Sequence, residues 1–241
     1  MNDFGSGTVI EFFGAPGVGK SYLAKGLSSY FKANSVNVSD QSLAVGQMSR
    51  LHRLVYKNRI IIPMLVLKPR ILWILLAFAF KAGVKTPAAF MRVLVNWLYI
   101  VALMQRELKH YGVVILDQGI VQALWSTVFR GRNVELNATA ALIRSLLKAC
   151  SAKQLVVVHL SLDREKHRVR LASRLHGCSP LDDGDCEKFQ RGLLTAKSVG
   201  DVVSKLENGV ENQLINNVYF ENDDNANVSC LYGKLLNILS S

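Results

Sequence analysis

The sequence predicts a three-layer α/β/α fold with about five parallel strands. Three observations carry that prediction. Short, almost wholly apolar runs recur along the 241 residues, and longer segments of helical periodicity separate them. A strand covered on both faces loses its polar alternation, which is the pattern of a parallel sheet between two layers of helices. A glycine-rich turn joins the first run to the first helix. The composition is 50% hydrophobic and 20% charged, with 17 Gly and 5 Pro; this is globular and excludes a collagen, a disulfide miniprotein and a disordered chain. The length suits a single domain, 1–241, that carries an insertion.

The elements follow in order. Residues 8–13, Thr-Val-Ile-Glu-Phe-Phe, read as a buried strand. A helix over about 19–32 places Leu23, Ala24, Leu27 and Phe31 on one face. Residues 36–39 read as a short second strand, 113–116 as a third between Gly112 and Asp117, 155–162 as a fourth, and 218–221 as a weaker fifth. Helices over about 119–130, 135–151, 164–175, 186–207 and 226–239 fill the intervals.

Residues 50–110 break this rhythm and read as a helical insertion. Residues 60–67 and 71–80 are unbroken apolar runs, separated by Lys68, Pro69 and Arg70. Neither reaches the roughly 18 uncharged residues of a membrane-spanning helix. A further helix over about 87–108 is nearly all apolar. Trp73 and Trp97 of this stretch, and Trp125 beyond it, read as packing residues, and His159, inside the fourth strand, as a core residue.

Charge is unevenly spread. The formal net charge is +11. Residues 50–110 hold eleven Lys or Arg and one acid, Glu107, whereas 179–229 hold ten acids and four bases. The basic block is too aliphatic for a nucleic-acid surface, which mixes bases with exposed polar and aromatic groups. Two destinations suit it. Its helices can pack in the core or against a second copy in a homodimer, or they can dock on an anionic membrane surface. The four cysteines form no CxxC and no zinc spacing, and the N-terminus lacks the pattern of a signal peptide. The expected location is therefore cytoplasmic, with peripheral attachment to the inner face of a membrane as the alternative.

The chemistry lies in Gly14-Ala15-Pro16-Gly17-Val18-Gly19-Lys20-Ser21, which fits G-x-x-x-x-G-K-[ST] between an apolar strand and an amphipathic helix. Glycines let successive backbone N–H groups point at phosphate oxygens, and the helix N-terminus adds positive potential. Lys20 is then the group for the β and γ phosphates of ATP, and Ser21 a ligand for Mg²⁺. Asp117 ends an apolar strand, where an Asp of a P-loop protein can hold magnesium, directly or through water; a helix N-cap role is compatible with this. Arg170 and Arg174 share a helix face ahead of a Gly/Pro/Asp-rich loop, so 170–186 reads as a lid-like segment whose arginines can close over a phosphoryl group. A solvated charged helix is the plainer alternative. Asp40, after the second strand, is either a carboxylate near an acceptor hydroxyl or a turn residue.

With GAPGVGKS, VVILDQG and VHLSLDREKHRVRLASRLHG in place, the chain resembles P-loop small-molecule kinases of the nucleoside monophosphate kinase type, and thymidylate-kinase-like proteins most of all. The resemblance covers about 8–32, 112–175 and, weakly, 216–239. It implies ATP and Mg²⁺ as cofactors, phosphoryl transfer to a small-molecule acceptor (nucleotide, sugar or lipid-linked group), and lid arginines at 170 and 174. Gln118 stands where the family has the arginine that helps hold an acceptor phosphate, and 50–110 matches nothing in the family. A non-kinase P-loop NTPase with a regulatory or membrane-associated role is the alternative, although the chain has no N-K-x-D and no L-S-G-G-Q stretch.

Overall fold

The computed structural model describes residues 6–84, 86–131, 136–172, 186–207, 215–223 and 227–240, with the backbone alone for 136–138, 172, 186 and 207. Five strands form one all-parallel sheet: β1 (Thr8–Phe13), β2 (Val38–Ser39), β3 (Val113–Leu116), β4 (Gln154–Ser161) and β5 (Ile215–Glu221). Their order is β2-β3-β1-β4-β5. The described helices are α1 (Lys20–Ala33), α2 (Gln41–Gln47), α3 (Arg50–Leu67), α4 (Pro69–Lys81), α5 (Pro87–Glu107), α6 (Ile120–Arg130), α7 (Leu136–Ala149), α8 (Arg164–Ala172), α9 (Cys186–Glu207) and α10 (Val228–Ser240).

The strand pattern explains the layers. Side chains alternate across a sheet with period two. Val9 and Phe13 of β1, Val114 and Leu116 of β3, and Leu155 and Val157 of β4 enter one apolar cluster with residues of α5, α6, α7 and α9. Ile10 and Phe12, Val113 and Ile115, Val156 and Val158 enter the other with α1 and α10. Both faces are covered, so the expected three-layer arrangement is the one observed. Glu11 shares its parity with Val9 and Phe13, and so faces the α5–α6 side. β1 is central, in register with β3 from Thr8↔Val113 and with β4 from Thr8↔Gln154. The chain leaves β1 toward β2 on one side and later reaches β4 on the other. The carboxyl end of β1 is therefore the topological switch point, the place where open α/β sheets leave a crevice.

Residues 50–110 supply most of the crossover from β2 to β3. α5 starts at Pro87, with Thr86 Oγ1 accepting from the Ala89 N–H at 3.2 Å. It is the one described helix long and apolar enough to cross a membrane, but 56% of that apolar window is buried within the chain. Trp97, Ile100, Leu103 and Met104 lie in the same cluster as the sheet, so α5 is a core helix. α3 and α4 lie outside it, bent by 107° about Lys68. Their inner faces, Ile60, Ile61 and Met64, then Ile71, Leu75 and Ala79, are buried.

Several details differ from the sequence reading, among them β2, which spans only Val38–Ser39, and His159, which is half-buried and stacked on Tyr219 rather than in the core. α2 was not expected. β5 begins at Ile215, because the backbone of Asn216 and Asn217 continues the ladder with Val156 and Val157 although their side chains break the apolar run. Trp97, whose indole N–H donates to Thr127 Oγ1, and Trp125, stacked on Phe129, are packed as expected, but Trp73 is exposed.

Candidate functional site

The G-x-x-x-x-G-K-S segment follows the switch point directly. Gly17 and Gly19 have φ of 104° and 94°, in the left-handed region that side chains disfavour. Space excludes a side chain too: a Cβ at Gly17 would meet Leu171 Cδ2 and the His167 ring at 3.0–3.1 Å, and one at Gly19 would fall on the Asn222 amide. Gly19 is the N-cap of α1 and offers no side-chain cap, which leaves the first-turn N–H groups directed at the crevice.

Four carbonyls of the loop are held by side chains from three parts of the chain. His167 of α8 donates from Nε2 to the Pro16 carbonyl at 2.6 Å. Asn222, just past β5, donates to the Val18 carbonyl at 2.7 Å. Lys20 Nζ donates to the carbonyls of Gly14 at 2.7 Å and Ala15 at 3.0 Å. These bonds fix a turn of successive backbone N–H groups, the nest geometry that suits phosphates.

Two of the predicted residues meet across the sheet. Ser21 Oγ donates to Asp117 Oδ2 at 3.1 Å, and Ser42 Oγ donates to Asp117 Oδ1 at 2.6 Å. Hydroxyl and carboxylate oxygens are the donors a hard cation such as Mg²⁺ takes, usually with water and substrate phosphates completing the shell. No cluster of three or more His, Cys, Asp or Glu among the described residues forms a self-sufficient metal site.

α8 brings Arg170 to the loop. Its guanidinium stands near Gly19 and donates to the Asn222 carbonyl at 3.5 Å. Arg174 and the rest of the lid-like segment, 173–185, lie outside the described residues. Asp40 is not drawn into the crevice. Its Oδ2 accepts from Ser28 Oγ at 2.6 Å and from Lys32 Nζ at 2.7 Å, at the N-cap of α2. Partial burial works against its charge, but the hydrogen bonds from Lys32 and Ser28 outweigh it and hold the carboxyl below its ordinary value.

Opposite the loop, a cleft of about 660 Å³ opens between Pro16–Tyr22 and the helices α3, α5 and α6. That volume suits a drug-sized or nucleotide-sized ligand. Its far wall is cationic: Lys57 from α3, Arg92 from α5 and Arg130 from α6, with Asn96, Gln118 and Gln122 between them. Burial, and then the Arg53 charge, pulls Lys57 below its usual value; burial, and then the Arg92 charge, does the same to Arg130. Like charges thus crowd a partly desolvated wall, and an anion would relieve them. The Gln122 side-chain oxygen is buried without a hydrogen-bond partner among the described residues. No carboxylate or imidazole lines the cleft among those residues.

Beneath this site sits Glu11, fully buried. Its Oε1 accepts from the N–H groups of Gly119 (3.1 Å) and Gln122 (2.7 Å), and its Oε2 from Val121 (3.0 Å). A carboxylate thus caps α6 from a strand more than 100 residues earlier, and fixes the turn that carries Asp117 and Gln118. Burial pushes the Glu11 carboxyl up to about 7, while the backbone N–H groups of residues 119–122 pull the other way.

Sequence reasoning placed the loop, Lys20, Ser21, Asp117 and Arg170. It missed Glu11, His167, Asn222, Lys57, Arg92 and Arg130. A charged residue inside an otherwise apolar strand was the available signal for Glu11. Met91-Arg92 followed by Val95-Asn96, a mixed pair repeated at helical spacing, was the signal for the α5 wall. Neither a family model nor a curated protein matches the chain.

Proposed function

We propose that the chain is a P-loop kinase that transfers the terminal phosphoryl group of ATP, with Mg²⁺, to a small anionic acceptor held in the cleft. The observation that carries this reading is the cleft's two-sidedness: Lys20, Ser21 and the loop on one wall, Lys57, Arg92 and Arg130 on the other. A switch NTPase needs the first wall only.

The loop N–H groups would bind the phosphates, and Lys20 would exchange its carbonyl partners for phosphate oxygens. Ser21 and Asp117 would hold the Mg²⁺, which supplies charge neutralisation between the phosphates. Arg170 stands where it can stabilise charge on the moving group. Arg92 and Arg130 would hold the acceptor's anionic group, the task left open by Gln118. Among the described residues the cleft lining has no carboxylate or imidazole to take a proton, which suits an acceptor whose attacking oxygen is already ionised, a phosphate above all. The acceptor oxygen bonds to the γ phosphorus as the bond to the bridging oxygen breaks, and ADP leaves.

The test is incubation with γ-labelled ATP and a panel of small acceptors: phosphate monoesters, carboxylates and neutral polyols. Label transferred to an anionic acceptor supports the reading. Label released only as inorganic phosphate, at a rate no acceptor alters, replaces it with a non-kinase NTPase.

A further inference from the structure

The outer face of the α3–α4 pair is apolar and exposed. On α3, Leu51, Val55, Ile62 and Val66 fall on one stripe at helical spacing and are 59–75% exposed. Past the elbow, α4 exposes Trp73, at 70%, and Phe80, at 81%, opposite its buried Ile71, Leu75 and Ala79. The opposite faces of both helices are buried, so this is no loosely packed core. Lys57, which lines the cleft, lies on the far side of α3 from the stripe. Isolated exposed apolar residues are ordinary; rows of them on two consecutive helices mark a docking surface.

The charge beside the stripe identifies the occupant. Arg59, Arg70 and Lys81 are exposed and flank it, and no acidic residue occurs between Asp40 and Glu107. A second copy joined through this face by two-fold symmetry would set these cations against their own images. A surface of anionic lipid headgroups over acyl chains satisfies both features at once: bases meet headgroups, and Trp and Phe enter the interface. The 107° bend at Lys68 keeps either helix from continuing the other as one straight span.

We propose that the α3–α4 face docks this protein in-plane on an anionic membrane. Trp73 and Phe80 insert at the headgroup boundary, and Arg59, Arg70 and Lys81 supply the attraction. The docking does not depend on the kinase reading: a vesicle assay reads it without ATP or acceptor.

The experiment is sedimentation of the full chain with vesicles of phosphatidylcholine alone and of phosphatidylcholine with about 30% phosphatidylglycerol, at about 0.05 M and about 0.5 M salt. Binding is expected to the anionic vesicles only, and to weaken at high salt. Arg70→Glu/Lys81→Glu should weaken it roughly 30-fold or more, at about fivefold per base lost. Trp73→Glu/Phe80→Glu should abolish it. All four side chains are exposed, so both variants should melt with the wild type. A blue shift of tryptophan emission on anionic vesicles, absent in Trp73→Phe, places Trp73 in the interface. Failure to bind anionic vesicles, binding unchanged in Trp73→Glu/Phe80→Glu, or a concentration-dependent dimer that those substitutions dissociate would each overturn the proposal, the last in favour of a second copy.

Discussion

His167 donates from Nε2 to the carbonyl of Pro16 at 2.6 Å, which ties α8 to the phosphate loop across 151 residues of sequence. A carbonyl can only accept, so the imidazole carries its proton on Nε2. His167 is thus a positioning residue, reaching nucleotide through the loop. His167→Ala should weaken ATP binding roughly tenfold, as expected for a buried hydrogen bond left unmade. His167→Gln, whose amide can donate, should recover part of the loss. Calorimetric titration with ATP checks both; unchanged affinity in a folded His167→Ala would reduce the contact to packing.

The Ser21–Asp117 pair yields a metal prediction. Asp117→Asn keeps an acceptor for one of the two serines and offers an N–H to the hydroxyl oxygen of the other, but loses the charge. The Mg²⁺ midpoint for activity should rise roughly tenfold or more, with metal-free nucleotide affinity little changed. An unmoved midpoint would leave Asp117 a structural acceptor for the two serines.

The cationic wall is tested at Arg92, which is exposed and therefore separable from stability. Arg92→Ala should raise the acceptor KM roughly 10- to 100-fold, the range of a lost charge-assisted hydrogen bond, while kcat changes less. Melting should shift by no more than about 0.5 kcal/mol. A normal KM would remove Arg92 from the acceptor site.

These three predictions differ in how far the sequence pointed to them. The loop was legible because its constraint is local: glycines that must adopt positive φ sit at fixed spacing from Lys20, between a strand and a helix that declare themselves by periodicity. β1, β3 and β4 were legible because burial on both faces leaves them mostly apolar, Glu11 of β1 and His159 of β4 aside. β5 was half legible, since Asn216 and Asn217 contribute backbone rather than side chains to the ladder. Asp117 and Ser21 could be paired by rule, but the pairing of His167 with Pro16, or of Glu11 with the N-terminus of α6, depends on which strands become neighbours. Arg92 and Arg130 converge from helices whose relative placement is decided by packing of α5 on α6. The fate of 50–110 was legible only as a question. The structure divides it, with α5 buried in the core and the outer face of α3–α4 left exposed.

Glu11 makes stability depend on pH. Its ordinary value is 4.5, and burial raises it to about 7 in the folded chain. Between those values the folded protein holds a proton that the unfolded chain releases. Its contribution is therefore full below about pH 4.5 and is lost as pH rises through 7, by on the order of 3 kcal/mol. Urea unfolding of wild type and Glu11→Gln from pH 4.5 to 8 checks this. Wild type should lose stability relative to the variant as pH rises, then level off. A flat difference would mean that Glu11 is ionised throughout.

The central claim is that Lys20 and the loop act on ATP that reacts with an acceptor across the cleft. The most direct measurement is acceptor-dependent label transfer from γ-labelled ATP by wild type and Lys20→Ala. A loss of roughly 10³-fold or more is expected with the melting curve little changed, because the bonds of Lys20 to the Gly14 and Ala15 carbonyls are ones that phosphate would replace. Near wild-type transfer by folded Lys20→Ala would contradict it.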